Sequence, residues 1–129
     1  MCSVRPNTLR GARHDWVELA LSSAARGAVA GPANQIHVST ATAWEITTKY
    51  RIGKLPAADP VAADVAREIA AEGFAGLPVT VRHAQQAGAI PDPHKDPFDR
   101  MLITQALTEP MTLVSNEALF DVYGVARLW

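Results

Sequence analysis

Four acidic residues in three separated segments have the types and placement to hold a metal ion. Glu45 lies in Ser39-Thr40-Ala41-Thr42-Ala43-Trp44-Glu45-Ile46. Asp96 and Asp99 lie in Asp96-Pro97-Phe98-Asp99-Arg100-Met101-Leu102-Ile103, and Glu117 in Thr112-Leu113-Val114-Ser115-Asn116-Glu117. Short apolar runs of β character, Ile36-His37-Val38 and Met111-Thr112-Leu113-Val114, open two of these segments. In all three the acid falls at or near the start of a helix-like stretch. Ligands of open α/β sheets bind beyond the carboxyl ends of the strands, so the pattern would deliver carboxylates to one edge. Converging carboxylates repel one another unless a cation lies between them, and hard cations such as Mg²⁺ take oxygen ligands. The chemistry implied is a metal-dependent site acting on phosphates.

Each acid also has a local alternative. Thr42-Ala43-Trp44-Glu45 fits a capping box, in which the acid returns a hydrogen bond to the start of its own helix. Asp96 suits an N-cap, Pro97 the first helical position, and Asp99 an acid in the first turn. Glu117 can favour the dipole of a turn capped by Ser115 or Asn116. Within the Asp-Pro-Phe-Asp run, Asp99 is the better ligand and Asp96 the better cap. Trp44 reads as a core or interface aromatic.

The elements that must position these residues alternate between strand and helix. Helical spacing of apolar residues covers Trp16 to Ala30, ended by Gly31-Pro32. A strand over Ile36–Val38 precedes a helix over Thr42–Arg51 that stops at Gly53. One helix is expected from Asp59-Pro60 to Glu72, then a strand over Phe74–Val79 and a short helix over Arg82–Ala89. Pro91-Asp92-Pro93-His94-Lys95 reads as a loop. Helix Pro97–Thr108, strand Met111–Val114, a helical turn Glu117–Phe120 and strand Val125–Leu128 complete the chain. Such alternation argues for a parallel sheet covered on both faces, with right-handed crossovers. Residues Met1 to Asp15 show no clear strand pattern.

A chain of 129 residues reads as one domain, and 48% hydrophobic against 19% charged residues makes it globular. Twelve basic against thirteen acidic side chains exclude a global basic field, so any nucleic-acid contact needs a local patch. Lys49, Arg51 and Lys54 are the densest basic group. The single cysteine, Cys2, excludes an internal disulfide and a thiolate cluster, which fits a reducing cytoplasm. No apolar run approaches the roughly 20 residues that span a bilayer. No apolar stretch follows Met1–Pro6, so no secretory signal is read. His14, His37, His83 and His94 lack zinc-protease spacing, and neither a P-loop nor a Gly-x-Ser-x-Gly elbow occurs.

Ala43-Trp44-Glu45-Ile46, Arg51-Ile52-Gly53-Lys54-Leu55-Pro56, Asp96 to Ile103, Thr112-Leu113-Val114, Tyr123-Gly124-Val125 and Leu128-Trp129 together resemble the PIN-domain family. More narrowly they resemble the VapC-type toxins of bacterial toxin–antitoxin pairs, from about Leu21 to the C-terminus. The resemblance implies a single three-layer α/β/α sandwich around a mostly parallel sheet. It further implies a Mg²⁺- or Mn²⁺-dependent ribonuclease that dimerises and is inhibited by a cognate antitoxin. The family's second acid falls on Glu45, its third on Asp99, and its fourth, usually Asp, on Glu117. Asp96 stands at the edge of the set, and Arg100 and Lys49 are placed to orient RNA or antitoxin.

The first acid departs from the family pattern. Counting back without a gap puts Asn7-Thr8 where the family has Asp-Thr, so Asn7 would supply a neutral oxygen to the metal. The preceding strand, Met1 to Pro6, is poorly apolar, and Arg10-Gly11-Ala12-Arg13-His14 replaces the expected helix. Asp15 would need a different backbone path to substitute. Two functions follow: a nuclease weakened by this loss, or an inactive PIN homologue that still dimerises and captures antitoxin.

Overall fold

The computed structural model describes residues 2–6, 22–54, 59–91, 96–115 and 117–129. Within them the strands are β1 (Cys2–Pro6), β2 (Asn34–Ser39), β3 (Ala75–Leu77), β4 (Thr112–Val114) and β5 (Arg127–Leu128). The helices are α1 (Ser23–Ala30), α2 (Thr40–Arg51), α3 (Asp59–Ala63), α4 (Val65–Ala71), α5 (Val81–Ala89) and α6 (Pro97–Thr108), with a 3₁₀ helix over Ala118–Tyr123.

These strands form one sheet in the order β3-β2-β1-β4-β5. β2 pairs in parallel with β3, and β4 with β5, whereas β1 is antiparallel to both its neighbours. Cys2 faces Val38 on one side and Val114 on the other. The expectation of a parallel sheet therefore holds for four strands and fails at the middle one. Alternating strands and helices read as parallel pairing, and the poorly apolar Met1–Pro6 segment carries no signal of its own direction. Because β2 and β4 both oppose β1, they run the same way as each other. Their carboxyl ends, with those of β3 and β5, meet one edge of the sheet.

Both faces of the sheet are covered. Successive strand residues point to opposite sides. Val114 packs with Ala25, Val29, Ile36, Val38 and Phe74. Its neighbour Leu113 packs instead with Leu102, Ile103, Ala106, Phe120 and Val125. Two apolar clusters on opposite faces give the three-layer α/β/α sandwich that the sequence leads one to expect.

Several element boundaries have identifiable causes. α2 and α4 stop at Gly53 and Gly73, whose φ values of 77° and 73° lie where side chains are disfavoured. The single helix expected from Asp59 to Glu72 is two helices. Asp64 breaks it, because its side chain accepts from Arg67 N at 3.0 Å and caps α4. The short edge strand β5 is held by Arg127. This guanidinium donates from Nε and Nη2 to the Asp121 carboxylate at 2.7 and 2.9 Å, and from Nη1 to Ser115 O at 3.0 Å. The hydrogen bond from Arg127 holds the Asp121 carboxyl below the usual carboxylate range.

Phe120 and Ile103 are fully buried in the cluster around Leu113. Phe120→Ala should cost about 3–5 kcal/mol and Ile103→Val about 1 kcal/mol of unfolding free energy. Urea denaturation followed by circular dichroism measures both.

Candidate metal centre

The site starts where β2 ends. Ser39, its last residue, is buried and N-caps α2, with Oγ accepting from Ala41 N at 3.0 Å. α2 therefore begins at Thr40, and Thr42 is buried inside its first turn. The capping box expected between Thr42 and Glu45 does not form, because a better cap stands three residues earlier at the strand end. Glu45 instead occupies the second turn. Lys49 Nζ donates to its Oε1 at 3.1 Å, across one turn. Glu45 Oε2 is buried and has no hydrogen-bond partner among the described residues.

The other half of the site is the start of α6. Asp96 is the N-cap, as expected, and Pro97 the first helical residue. Asp96 Oδ1 accepts from Phe98 N at 2.9 Å and from Asp99 N at 3.2 Å. Capping in this way turns the Asp96 carboxylate toward the same first turn that carries Asp99. Packing of α2 against α6 then brings the two segments together. Ligand oxygens of Glu45, Asp96 and Asp99 all lie within 4.8 Å of one another. All three residues are half-buried, where charges of one sign repel more strongly than in bulk water. Three carboxylates, one with a buried oxygen lacking a partner, are a donor set suited to a hard divalent cation.

Asp96 is a full member of the acidic group rather than a residue at its edge. Glu117 is outside that group. Its carboxylate caps the 3₁₀ helix, accepting from Leu119 N at 3.2 Å, while Ser115 Oγ accepts from Glu117 N at 3.1 Å. The charge of Glu117 acts on Arg127. Arg100 binds backbone carbonyls at the end of α5. Its Nε donates to Ala87 O at 3.0 Å, and Nη2 to Gly88 O at 3.3 Å and to Ile90 O, so it ties the end of α5 to α6. Lys49 is on Glu45. Trp44 is not in the core: it is 62% exposed and meets Phe98 edge-on, ring centres 4.8 Å apart. Asn7, Asp15 and His94 lie outside the described residues.

A polar chain centred on the buried Ser39–Gln105 bond, unforeseen from sequence, fixes the two acid-bearing helices. Ser39 Oγ donates to Gln105 Oε1 at 2.5 Å, joining the N-cap of α2 to the middle of α6. Gln105 Nε2 donates to Pro78 O at 3.2 Å, just past β3. Thr40 Oγ1 accepts from Val79 N at 3.2 Å in the same place. His83 is nearly fully buried; its Nδ1 accepts from Thr80 N at 3.1 Å, so Nε2 carries the proton toward Glu109 Oε1 at 3.3 Å. The sequence signal for these contacts is a glutamine among the apolar Leu102, Ile103 and Ala106 of α6.

A family model for the PIN domain matches residues 15–125, and the chain belongs to that family. PIN domains form a superfamily of metal-dependent nucleases that bind divalent metals and act on nucleic acid. The match opens at Asp15, after Asn7 and β1. No curated protein and no solved structure matches the chain.

Asp96→Asn separates the two roles of that residue, since Asn caps helices about as well as Asp. Thermal stability should stay within about 0.5 kcal/mol of wild type. Mn²⁺ affinity, measured by calorimetry, should fall by about tenfold or more as one anionic ligand is lost. Unchanged affinity would leave Asp96 a cap and nothing else.

Proposed function

We propose that this chain is a Mg²⁺- or Mn²⁺-dependent endoribonuclease of the VapC type that hydrolyses RNA phosphodiester bonds. The observation that carries the proposal is the buried, partnerless Oε2 of Glu45 inside a group of three carboxylates, in a chain of the PIN family. Glu45, Asp96 and Asp99 would hold the ion. A divalent ion there supplies charge against a phosphoryl oxygen and acidifies water. Asp96 keeps its own carboxylate and that of Asp99 on one turn. Lys49 offsets part of the negative charge of the group.

Glu117 and Asn7 complete the ligand set in this proposal. Glu117 follows β4 at the same sheet edge at which Ser39 ends β2, and its carboxylate would have to leave the Leu119 amide to join. Asn7 would give a neutral oxygen where the resemblance has an acid, so metal binding is weaker than in an intact quartet. The proposed partners are RNA, a second copy of the chain and a cognate antitoxin, in the cytoplasm. Among the described residues no helix is long and apolar enough to cross a membrane.

The departure at Asn7 favours a second reading, an inactive PIN homologue that serves as an antitoxin-binding and dimerisation module. One experiment separates the two. Incubation with structured RNA and Mn²⁺ should give cleavage that EDTA and Asp99→Asn abolish and Asn7→Asp raises by about tenfold or more. Antitoxin binding without cleavage at any metal concentration would establish the module instead.

A further inference from the structure

Between the two helices that carry the acids lies an apolar cavity of about 370 Å³, with Thr40, Ala41 and Trp44 of α2 on one side and Phe98, Arg100 and Met101 of α6 on the other. We propose that it takes one unpaired base of the nucleic-acid substrate, stacked on Trp44. This deepens the proposed function and rests on it for the position of the cleaved phosphate.

Three observations select that occupant. First, the ring pair Trp44 and Phe98 adjoins the carboxylates: Trp44 precedes Glu45, and Phe98 precedes Asp99. A base in the cavity would therefore belong to a nucleotide next to the phosphate at the acids. Second, the lining is almost wholly apolar and ends in an exposed indole, which suits a flat π-face. Bases of any sequence stack on such rings, whereas paired bases in a duplex offer no free face. Third, charge along α2 follows the needs of a nucleic-acid backbone. Arg51 lies seven residues after Trp44 on the same helical face, about 10 Å away, and exposed Lys54 follows it. An apolar helix from another protein would need a groove for anchors spread over several turns. The cavity has the size of a small-ligand pocket.

Binding of a short fluorescein-labelled single-stranded RNA to the full chain tests the proposal, in an Asp99→Asn background with Mg²⁺. Trp44 is exposed, so Trp44→Ala should fold as wild type does, and its affinity for the strand should fall about tenfold. Trp44→Phe keeps a ring and should keep most of the affinity. A strand of the same length bearing abasic sugars should bind the Trp44→Ala variant and its parent equally. Equal affinity of Trp44→Ala and its parent for the normal strand would overturn the proposal, as would a duplex bound as tightly as the single strand. A wild-type dimer that Trp44→Ala converts to monomer, with RNA affinity unmoved, would overturn it too and show the cavity to be a contact between copies. Calorimetry with Mn²⁺ on the otherwise wild-type chain reads the metal site separately. If the acids bind no Mn²⁺ but Trp44→Ala still weakens single-strand binding, the base site stands and the nuclease proposal fails.

Discussion

Three carboxylates whose oxygens come within 4.8 Å of one another are the constraint around which the rest of this molecule is arranged. In a half-buried place their repulsion opposes folding, so the packing that forces them together has to be strong elsewhere. Ser39 and Gln105 supply the local part of it. A single hydroxyl caps α2, which carries Glu45, and bonds to a glutamine on α6, which carries Asp99. The capping duty of Asp96 supplies the rest by turning its own carboxylate inward. None of these bonds removes the negative charge. Lys49 reaches one oxygen of Glu45 and leaves the other without a partner among the described residues. A divalent cation is the species that would balance the group.

The sheet serves this arrangement even though its middle strand is reversed. The orientation of β2 relative to β4 decides which edge the following helices start from. Pairing both strands antiparallel to β1 preserves that relation, as pairing both parallel to it would. Burial of Leu113 on one face and Val114 on the other then holds the helical layers in place. A reversed β1 thus leaves the edge at which α2 begins unchanged.

The sequence reveals most where local chemistry and tertiary role coincide. Helix α6 can be read at both ends, because Asp96-Pro97 starts it and its apolar positions repeat through Ala106. Convergence of Glu45 with Asp99 is also legible, since both follow from helix starts at one sheet edge. What stays hidden is decided by competition between similar residues or by contacts distant in sequence. Ser39 and Thr42 can each cap a helix, and the end of β2 makes the choice. Glu117 has the position of a ligand, but its side chain serves the 3₁₀ helix. Arg100 reads as a substrate contact and is engaged by carbonyls of α5. Trp44 reads as a core or interface aromatic; it is exposed beside Phe98, so the core half of that reading fails.

Anomalous diffraction from crystals soaked in Mn²⁺ would locate an ion held by the three carboxylates. One strong peak is expected within coordination distance of carboxylate oxygens of Glu45, Asp96 and Asp99. A peak elsewhere, or none at these three residues in a well-occupied soak, would contradict a metal centre there.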